Sequence, residues 1–361
     1  MLMNDENIEN ENYPDLIETV FEFNLPSGQK PERLDVFLTN SLKYATRNKI
    51  QKAIDDGCVT INGVVAKSSK KIQPNDKIIC KILKPPPIKL IPEDIPLNIL
   101  FEDEYLLVVN KPAGMVTHPG FGNRRGTIVN AILWHIGNRE EIDIEIEEDE
   151  DSELNEEKIF SSEAIRPGIV HRLDKDTTGL LLITKDSSLH SILAKQFEER
   201  TVERYYYALV WGDMKNDSGT YEGDIGRNPR NRKTFAVVKK EGKPAITDYW
   251  VLERFGIMTL VKVKLRTGRT HQIRVHFSHN GHPVLGDKDY GGDVIVKGGG
   301  IPETKKLAER CLKIAERQML HAKILGFTHP INFQRLSFES ELPDDFEEIL
   351  KILRVYCTNH V

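Results

Sequence analysis

No apolar run in this 361-residue chain approaches the roughly 18 residues that would suggest a membrane span. No membrane contact is expected. The opening stretch, MLMNDENIENENYPDL, lacks the basic start and apolar stretch of a secretory signal, so a cytoplasmic location is expected. Cysteine is scarce: Cys58, Cys80, Cys311 and Cys357 are all there is, and none sits in a CxxC pair. That argues against a disulfide framework and against a cysteine zinc site, and leaves free thiols. Internal repeats are absent.

Positive charge is scarce only on balance. The net charge is −5, but residues 1–18 carry six acids and no Lys or Arg, and residues 139–158 carry twelve acids against Arg139 and Lys158. The remainder is therefore net positive. A basic globular part with acidic appendages fits a polyanionic partner, although an ordinary solvated surface fits as well. Residues 1–18 read as a disordered acidic tail. Residues 19–84 read as a compact basic unit, 85–96 as a proline-rich linker, and 97–361 as a second domain. The acidic block at 139–160 reads as an exposed loop insertion in that domain, and 292–304 as another flexible connection.

Within the basic unit, Ile50, Ala53 and Ile54 recur at helical spacing in ATRNKIQKAIDDG, which ends at Gly57. CVTINGVVAK then predicts two short strands around Asn62-Gly63, because Asn-Gly tolerates the positive φ of a type I′ turn. Arg47, Lys49 and Lys52 lie on the helix, and Lys70 and Lys71 follow the hairpin. In the second domain most segments are strand-like, among them GLLLITK and RYYYALVWG. DSSLHSILAKQFEER predicts a helix with Leu189, Ile192, Leu193, Gln196 and Phe197 in its period and Asp186 as cap. DDFEEILKILRVY predicts a C-terminal helix with Phe346, Ile349, Leu350 and Leu353 on one face. Strands with intervening helices indicate an α+β domain with a mostly antiparallel, mixed β-sheet.

The most informative stretch is PGIVHRLDKDTTGLLLITK, residues 167–185. Here a charged turn, His171 to Asp176, precedes an apolar strand, and a strand end can fix such groups rigidly. An ordinary polar loop would look similar. HRLDKDTTGLLL resembles the signature of the large-ribosomal-subunit type of RNA pseudouridine synthase. NKPAGMVTHPG, ERYYYALVWG and LRTGRTHQIRVHFSHNGHPVLGDKDYG resemble further segments of that family in the same order. The helix-plus-hairpin unit resembles the S4 RNA-binding domain.

The resemblance implies a pseudouridine synthase catalytic domain preceded by an S4-like α/β domain. It implies isomerisation of uridine to pseudouridine in structured RNA, most naturally 23S ribosomal RNA, by a monomer without a cofactor. Asp174 matches the catalytic aspartate, with Asp176 a rival on composition alone. Arg269 matches the arginine that pairs with it, and Arg274 is the alternative. Tyr206 matches the tyrosine packed on the target base, by its Tyr-x-Ala spacing to Ala208. Arg172 matches an arginine that fills the space left by a flipped base. His171, His271, Gln272, Arg274, Arg47, Lys49, Lys52, Lys70 and Lys71 are then candidate RNA contacts.

Two other functions remain open at this point. The same fold can serve as a non-catalytic RNA-binding or ribosome-assembly factor. His271, His276, His279 and His282 can be read as metal ligands of a hydrolase, but strand-like spacing scatters them over two faces and Arg269 and Arg274 would repel a cation. No metal is expected.

Overall fold

The computed structural model describes residues 17–42, 47–67, 69–84, 88–119, 123–144, 168–231 and 233–360. Residues 1–16 of the tail expected at 1–18, and 145–160 of the insertion expected at 139–160, lie outside them, while Ile17 and Glu18 already belong to a strand. Contacts divide the chain into two units, the first running through Ile88 and the second from Lys89 onward, with 143–146 grouped with the first.

In the first unit, strands β1 (Ile17–Asn24), β2 (Val59–Ile61), β3 (Val64–Val65) and β4 (Lys77–Lys84) form a sheet in the order β1-β4-β2-β3. Helices α1 (Leu34–Ser41) and α2 (Arg47–Asp55) pack beside it. The turn between β2 and β3 has φ of 51° at Asn62 and 81° at Gly63, the double positive φ that a type I′ hairpin requires. The apolar faces of the helices meet the sheet in one core of Leu34, Leu38, Ile50, Ile54, Val59, Ile78 and their neighbours. Cys80 is buried there as a free thiol.

The second unit is built on a mixed sheet. Its strands are β6 (Ile99–Glu102), β7 (Leu106–Lys111), β9 (Gly168–Ile169), β10 (Thr178–Thr184), β11 (Glu203–Trp211), β12 (Ser218–Arg227), β13 (Phe235–Val237), β14 (Lys243–Arg254), β15 (Met258–Leu265), β16 (Leu320–Thr328) and β17 (Arg335–Glu339). Two short strands, β5 (Ile88–Leu90) and β8 (Ile142–Ile144), lie outside it. The main order is β13-β12-β14-β15-β11-β16-β10-β7-β6, with β17 on β16 and β9 on β10. Every described pairing in this sheet is antiparallel except β10 with β16, where Thr178 faces His321 and Gly179 faces Ala322. A Cβ on Gly179 would meet the backbone of Ala322 at 2.3 Å, and its φ is 114°, so only glycine lets these strands close. All seven residues of β10 are buried, which explains its unbroken apolar run.

Helix α3 (Ile128–His135) opens on a capping box of Thr127 and Asn130, and helix α4 (His190–Glu198) lays Leu193 and Phe197 on β7, β10 and β16. Asp186 accepts from Ser188 N–H and opens the short turn that leads into it. Ile192 was expected on the buried face but is 45% exposed. Helix α6 (Pro302–Ile314) and helix α7 (Asp344–His360) cover β11 and β15. In α7, Phe346, Ile349, Leu350 and Leu353 are fully buried, each contributing roughly 1.5–3 kcal/mol over exposure.

Two expectations change. The connection read at 292–304 already turns helical at Pro302, whose fixed φ suits a first helical turn. The histidine segment is not strand-like: Gln272–His279 forms helix α5. The β-branched Ile273 and Val275 favour a strand locally, but burial of this helix against β12, β13 and β14 overrides that preference. No helix among the described residues is long and apolar enough to cross a membrane.

Candidate active site

The turn between β9 and β10 is held from Leu173 through Asp176. Thr117 Oγ1 donates to the Leu173 carbonyl at 3.1 Å. Thr177 N–H donates to the Asp174 carbonyl at 3.1 Å. Lys111 Nζ donates to the Lys175 carbonyl at 2.8 Å, and Arg317 Nη1 to that of Asp176 at 3.2 Å. Four consecutive carbonyls thus have donors, two of them buried cations. Lys111 also donates to the carbonyls of Pro112 and Met115. Burial pulls its pKa down to about 7, against the pull of Asp174 and Asp176. Three acceptors nevertheless need the three protons of an ammonium, and a neutral amine has two, so this geometry favours the charged form. Arg317 is anchored from behind by Asp345, on α7, through two bonds of 2.8 and 2.9 Å.

Asp174 stands on this clamped turn with its side chain 20% exposed. Arg274 Nη1 donates to its Oδ2 at 3.2 Å. His271 Nε2 lies 3.9 Å from Oδ1. Burial pushes the Asp174 carboxyl up, but His271, Arg274 and Arg172 together outweigh it and hold the carboxyl below its usual value. The group is therefore a carboxylate at neutral pH.

Arg274 is only 4% exposed, and its charge is shared among acids. It forks onto Asp287 at 2.7 and 2.8 Å and also reaches Asp289 at 2.6 Å. The Tyr290 ring lies 4.9 Å from its guanidinium carbon. Asp287 is fully buried, so Arg274 and Asp287 stabilise each other as charges removed from water. Helix α5 supplies Arg274 and the loop after it supplies the acids. Tyr206, on β11, is 5% exposed. Burial, with Asp174 nearby, raises its phenol further despite Arg204, so it remains a neutral ring.

A negative charge fixed on a partly exposed side chain, beside a neutral aromatic, suits stabilisation of positive character developing in a bound ligand. Comparison with known proteins decides which ligand class. Residues 105–279 match the family described as RNA pseudouridylate synthase, and residues 32–78 match the S4 domain. An RNA pseudouridine synthase of Chlorobaculum parvum, itself uncharacterized, is 44% identical over 91% of this chain and 96% of its own length. The ribosomal large subunit pseudouridine synthase D of Nitrosomonas europaea is 39% identical over 93% of this chain and 89% of its own. The chain belongs to the RNA pseudouridine synthases.

The solved structure of human RNA pseudouridylate synthase domain containing 4 shares the fold, with a TM-score of 0.51, 24% identity, and coverage of 71% of this chain and 93% of that one. As a pseudouridine synthase with an N-terminal S4 domain, the chain is an isomerase acting on RNA, with the α+β architecture expected from its sequence. The site residues expected from sequence fall into three groups.

Asp174, Tyr206, His271 and Arg274 come together, the last three all close enough to act on the Asp174 carboxylate or to be acted on by it. The expectation that put Arg269 on Asp174 changes: the described ion pair is made by Arg274, while Arg269 Nε donates to the Pro244 carbonyl. The helical geometry of α5 turns Arg274 inward. Arg172, exposed, lies close enough to act on the Asp174 charge.

Three expected RNA contacts instead face the interior. His171 is 6% exposed, stacks on Phe197 at 4.8 Å, and accepts Leu182 N–H on Nε2 at 2.9 Å. Burial, with Arg204, keeps it far below its ordinary pKa and neutral, as that acceptor role demands. Gln272 is 2% exposed and uses both ends. Its amide donates to the Ile246 carbonyl and Thr247 Oγ1, and its Oε1 accepts from Thr267 Oγ1 and Arg269 N–H. Arg274, as shown, is saturated by carboxylates. The other histidines diverge: His276 Nδ1 meets Thr247 Oγ1, and His282 Nδ1 meets the Trp211 carbonyl.

In the S4 domain, Lys52, Lys70 and Lys71 are exposed. Arg47 is half-exposed and binds the buried Asp35, which also receives Arg33 and Gln51. The Lys49 side chain lies outside the described residues. Lys111, Arg317, Asp287 and Tyr290 escaped the sequence reading as site residues. For Lys111, Asp287 and Tyr290 the available signal was their place in the matched segments NKPAGMVTHPG and LRTGRTHQIRVHFSHNGHPVLGDKDYG.

Proposed function

We propose that this pseudouridine synthase isomerises a uridine of 23S ribosomal RNA, with Asp174 as the group that acts at the ribose. The observation that carries the proposal is a carboxylate held below its usual range by His271, Arg274 and Arg172, on a turn with four consecutive carbonyls bonded. The ribosomal target follows from the printed names of relatives such as the Nitrosomonas europaea enzyme.

The chemistry needs one carboxylate. Breaking the glycosidic bond builds positive character at C1′, which Asp174 stabilises or captures, as carboxylates do in glycosidases. Deprotonation at C2′ by the same carboxylate is the other route open to it. Uracil then turns and re-bonds through C5, so it is leaving group and returning nucleophile at once, and no second carboxylate has to activate a water. Tyr206 offers its ring to the base. The uridine must first leave its helix or stack at a cost of a few kcal/mol, and Arg172 stands at the rim to occupy the space it vacates. The S4 domain supplies salt-sensitive phosphate contacts through Lys52, Lys70 and Lys71.

The test is to incubate unmodified ribosomal and transfer RNA with the wild-type chain and with Asp174→Ala, then map pseudouridine at each nucleotide. New pseudouridine at a defined 23S position, made only by wild type, is the expected result. Product in transfer RNA alone would replace the target. Intact binding with no product from wild type would leave an assembly factor on this fold.

A further inference from the structure

His271 has a backbone that few residues adopt. Its φ is 55°, in the left-handed region, at the start of α5. A non-glycine residue held there costs of order 1 kcal/mol or more and persists where surrounding contacts impose it. Here the contacts are aromatic. The imidazole packs edge-on against Phe235 at 5.7 Å and Tyr290 at 5.6 Å. Its Nδ1 is 2.8 Å from the Tyr290 hydroxyl.

That hydroxyl favours one tautomer. Tyr290 Oη accepts Phe235 N–H at 3.1 Å, so its own proton is free to go to His271 Nδ1. The remaining proton of a neutral imidazole then sits on Nε2, the nitrogen facing Asp174. Burial lowers the His271 pKa, and Arg274 adds to this, while Asp174 opposes it; the ring is neutral near pH 7.

The Nε2–H donor and the Asp174 Oδ1 acceptor are 3.9 Å apart, too far to bond to each other. Both side chains are about one-fifth exposed, at 22% and 20%. An oxygen about 2.8 Å from each fits that span as the apex of a triangle. It has to accept from one side and donate to the other. Uracil has no atom that does both: its carbonyls only accept, and its N3–H only donates. A free hydroxyl does both, and within an RNA chain the target nucleotide has one, at C2′, because its 3′ and 5′ oxygens are esterified.

We propose that His271 Nε2 and Asp174 Oδ1 together hold the 2′-hydroxyl of the target uridine, and that His271 is thereby a specificity residue for ribose over deoxyribose. This rests on Asp174 as the group at the ribose. It also explains how the carboxylate is aimed: a hydroxyl fixed on C2′ brings C1′ and C2′ beside Oδ1, where either route has to act. Tyr290 serves as a positioning residue by holding the donor tautomer.

The experiment uses the full chain and one RNA bearing the mapped target. That single nucleotide is ribo-uridine, 2′-deoxyuridine or 2′-O-methyluridine, and single-turnover rates are read for wild type, His271→Phe and Tyr290→Phe. With wild type, the deoxy RNA is expected to react at least about tenfold slower, the worth of one strong hydrogen bond. The methylated RNA is expected to be slower still, because it adds bulk and cannot donate to Asp174. In His271→Phe the ribo rate falls and the ribo-to-deoxy ratio shrinks to roughly threefold or less, since the two losses remove one interaction. Tyr290→Phe shrinks the ratio in the same direction, and stands in if His271→Phe does not fold.

An unchanged ratio in the variants overturns the proposal. So does a wild-type ratio near one. No product from the deoxy RNA with any of the proteins overturns it too, because the hydroxyl then matters by a route His271 does not share. A wild type inactive on the ribo RNA is a different failure, that of the proposed function.

Discussion

In the S4 domain, Lys52, Lys70 and Lys71 point to solvent, whereas in the catalytic unit Lys111, Arg274 and Arg317 are 0%, 4% and 8% exposed. Both sets are cations in an RNA enzyme, yet they are built for different work. The exposed ones pay no desolvation and attract phosphates in proportion to their number. The buried ones are each consumed by fixed acceptors: carbonyls for Lys111, carboxylates for Arg274, and both for Arg317. On the proposed function, recognition would be spread over interchangeable charges, and chemistry concentrated in groups that cannot be exchanged.

The largest effect should come from breaking the buried set. Arg274→Met strands the fully buried Asp287 and is expected to cost about 3–5 kcal/mol, read as a drop in urea midpoint. Protein that still folds should show a second change. Asp174 is held below its usual value by His271, Arg274 and Arg172 against burial, so losing Arg274 lets the carboxyl rise from where it is held. The carboxylate is present above its pKa and lost as pH falls through it. The acid limb of the rate profile should therefore move toward neutral pH, and a limb that stays put would mean that Arg274 does not govern Asp174.

Arg317→Gln tests the clamp more gently. It loses the Asp345 ion pair and loosens the Asp176 carbonyl, with an expected cost of about 2–3 kcal/mol and a lower rate at saturating RNA. A Tm shift with an unchanged rate would show that the turn holds without it.

The exposed set should respond differently. Lys70→Gln with Lys71→Gln is expected to weaken RNA binding several-fold and to flatten the salt dependence by up to about two phosphate contacts, leaving the saturated rate unaltered. A lower rate at saturation would erase the distinction between the two sets. Smallest is Gly63→Ala in the type I′ turn, expected to cost about 1 kcal/mol in thermal unfolding.

The same contrast explains what was legible in the sequence. Local signals were plain: Asn62-Gly63 set a hairpin, the period of Phe346, Ile349, Leu350 and Leu353 set α7, and the apolar run of β10 set a buried strand. Motif resemblance placed Asp174 in the site. What sequence could not show was which charged residues turn inward. His171, Gln272 and Arg274 looked like RNA contacts because polar residues in a basic protein usually are. Their partners lie far along the chain, with Arg274 and Asp174 separated by 100 positions. Helix α5 also defeated local reasoning. Its β-branched residues favour a strand, and only its packing on the sheet makes it helical; Arg269 was preferred to Arg274 on motif resemblance alone, which does not show which arginine turns inward.

The central claim is that chemistry at the ribose runs through Asp174 while RNA binding does not depend on it. The direct test is Asp174→Asn, an isosteric change, with RNA affinity and single-turnover conversion measured side by side on the same target RNA. Affinity within about threefold of wild type, with conversion reduced by roughly 10³-fold or more, is the predicted result. Conversion at a rate near wild type would contradict it and move the reacting group elsewhere in the pocket.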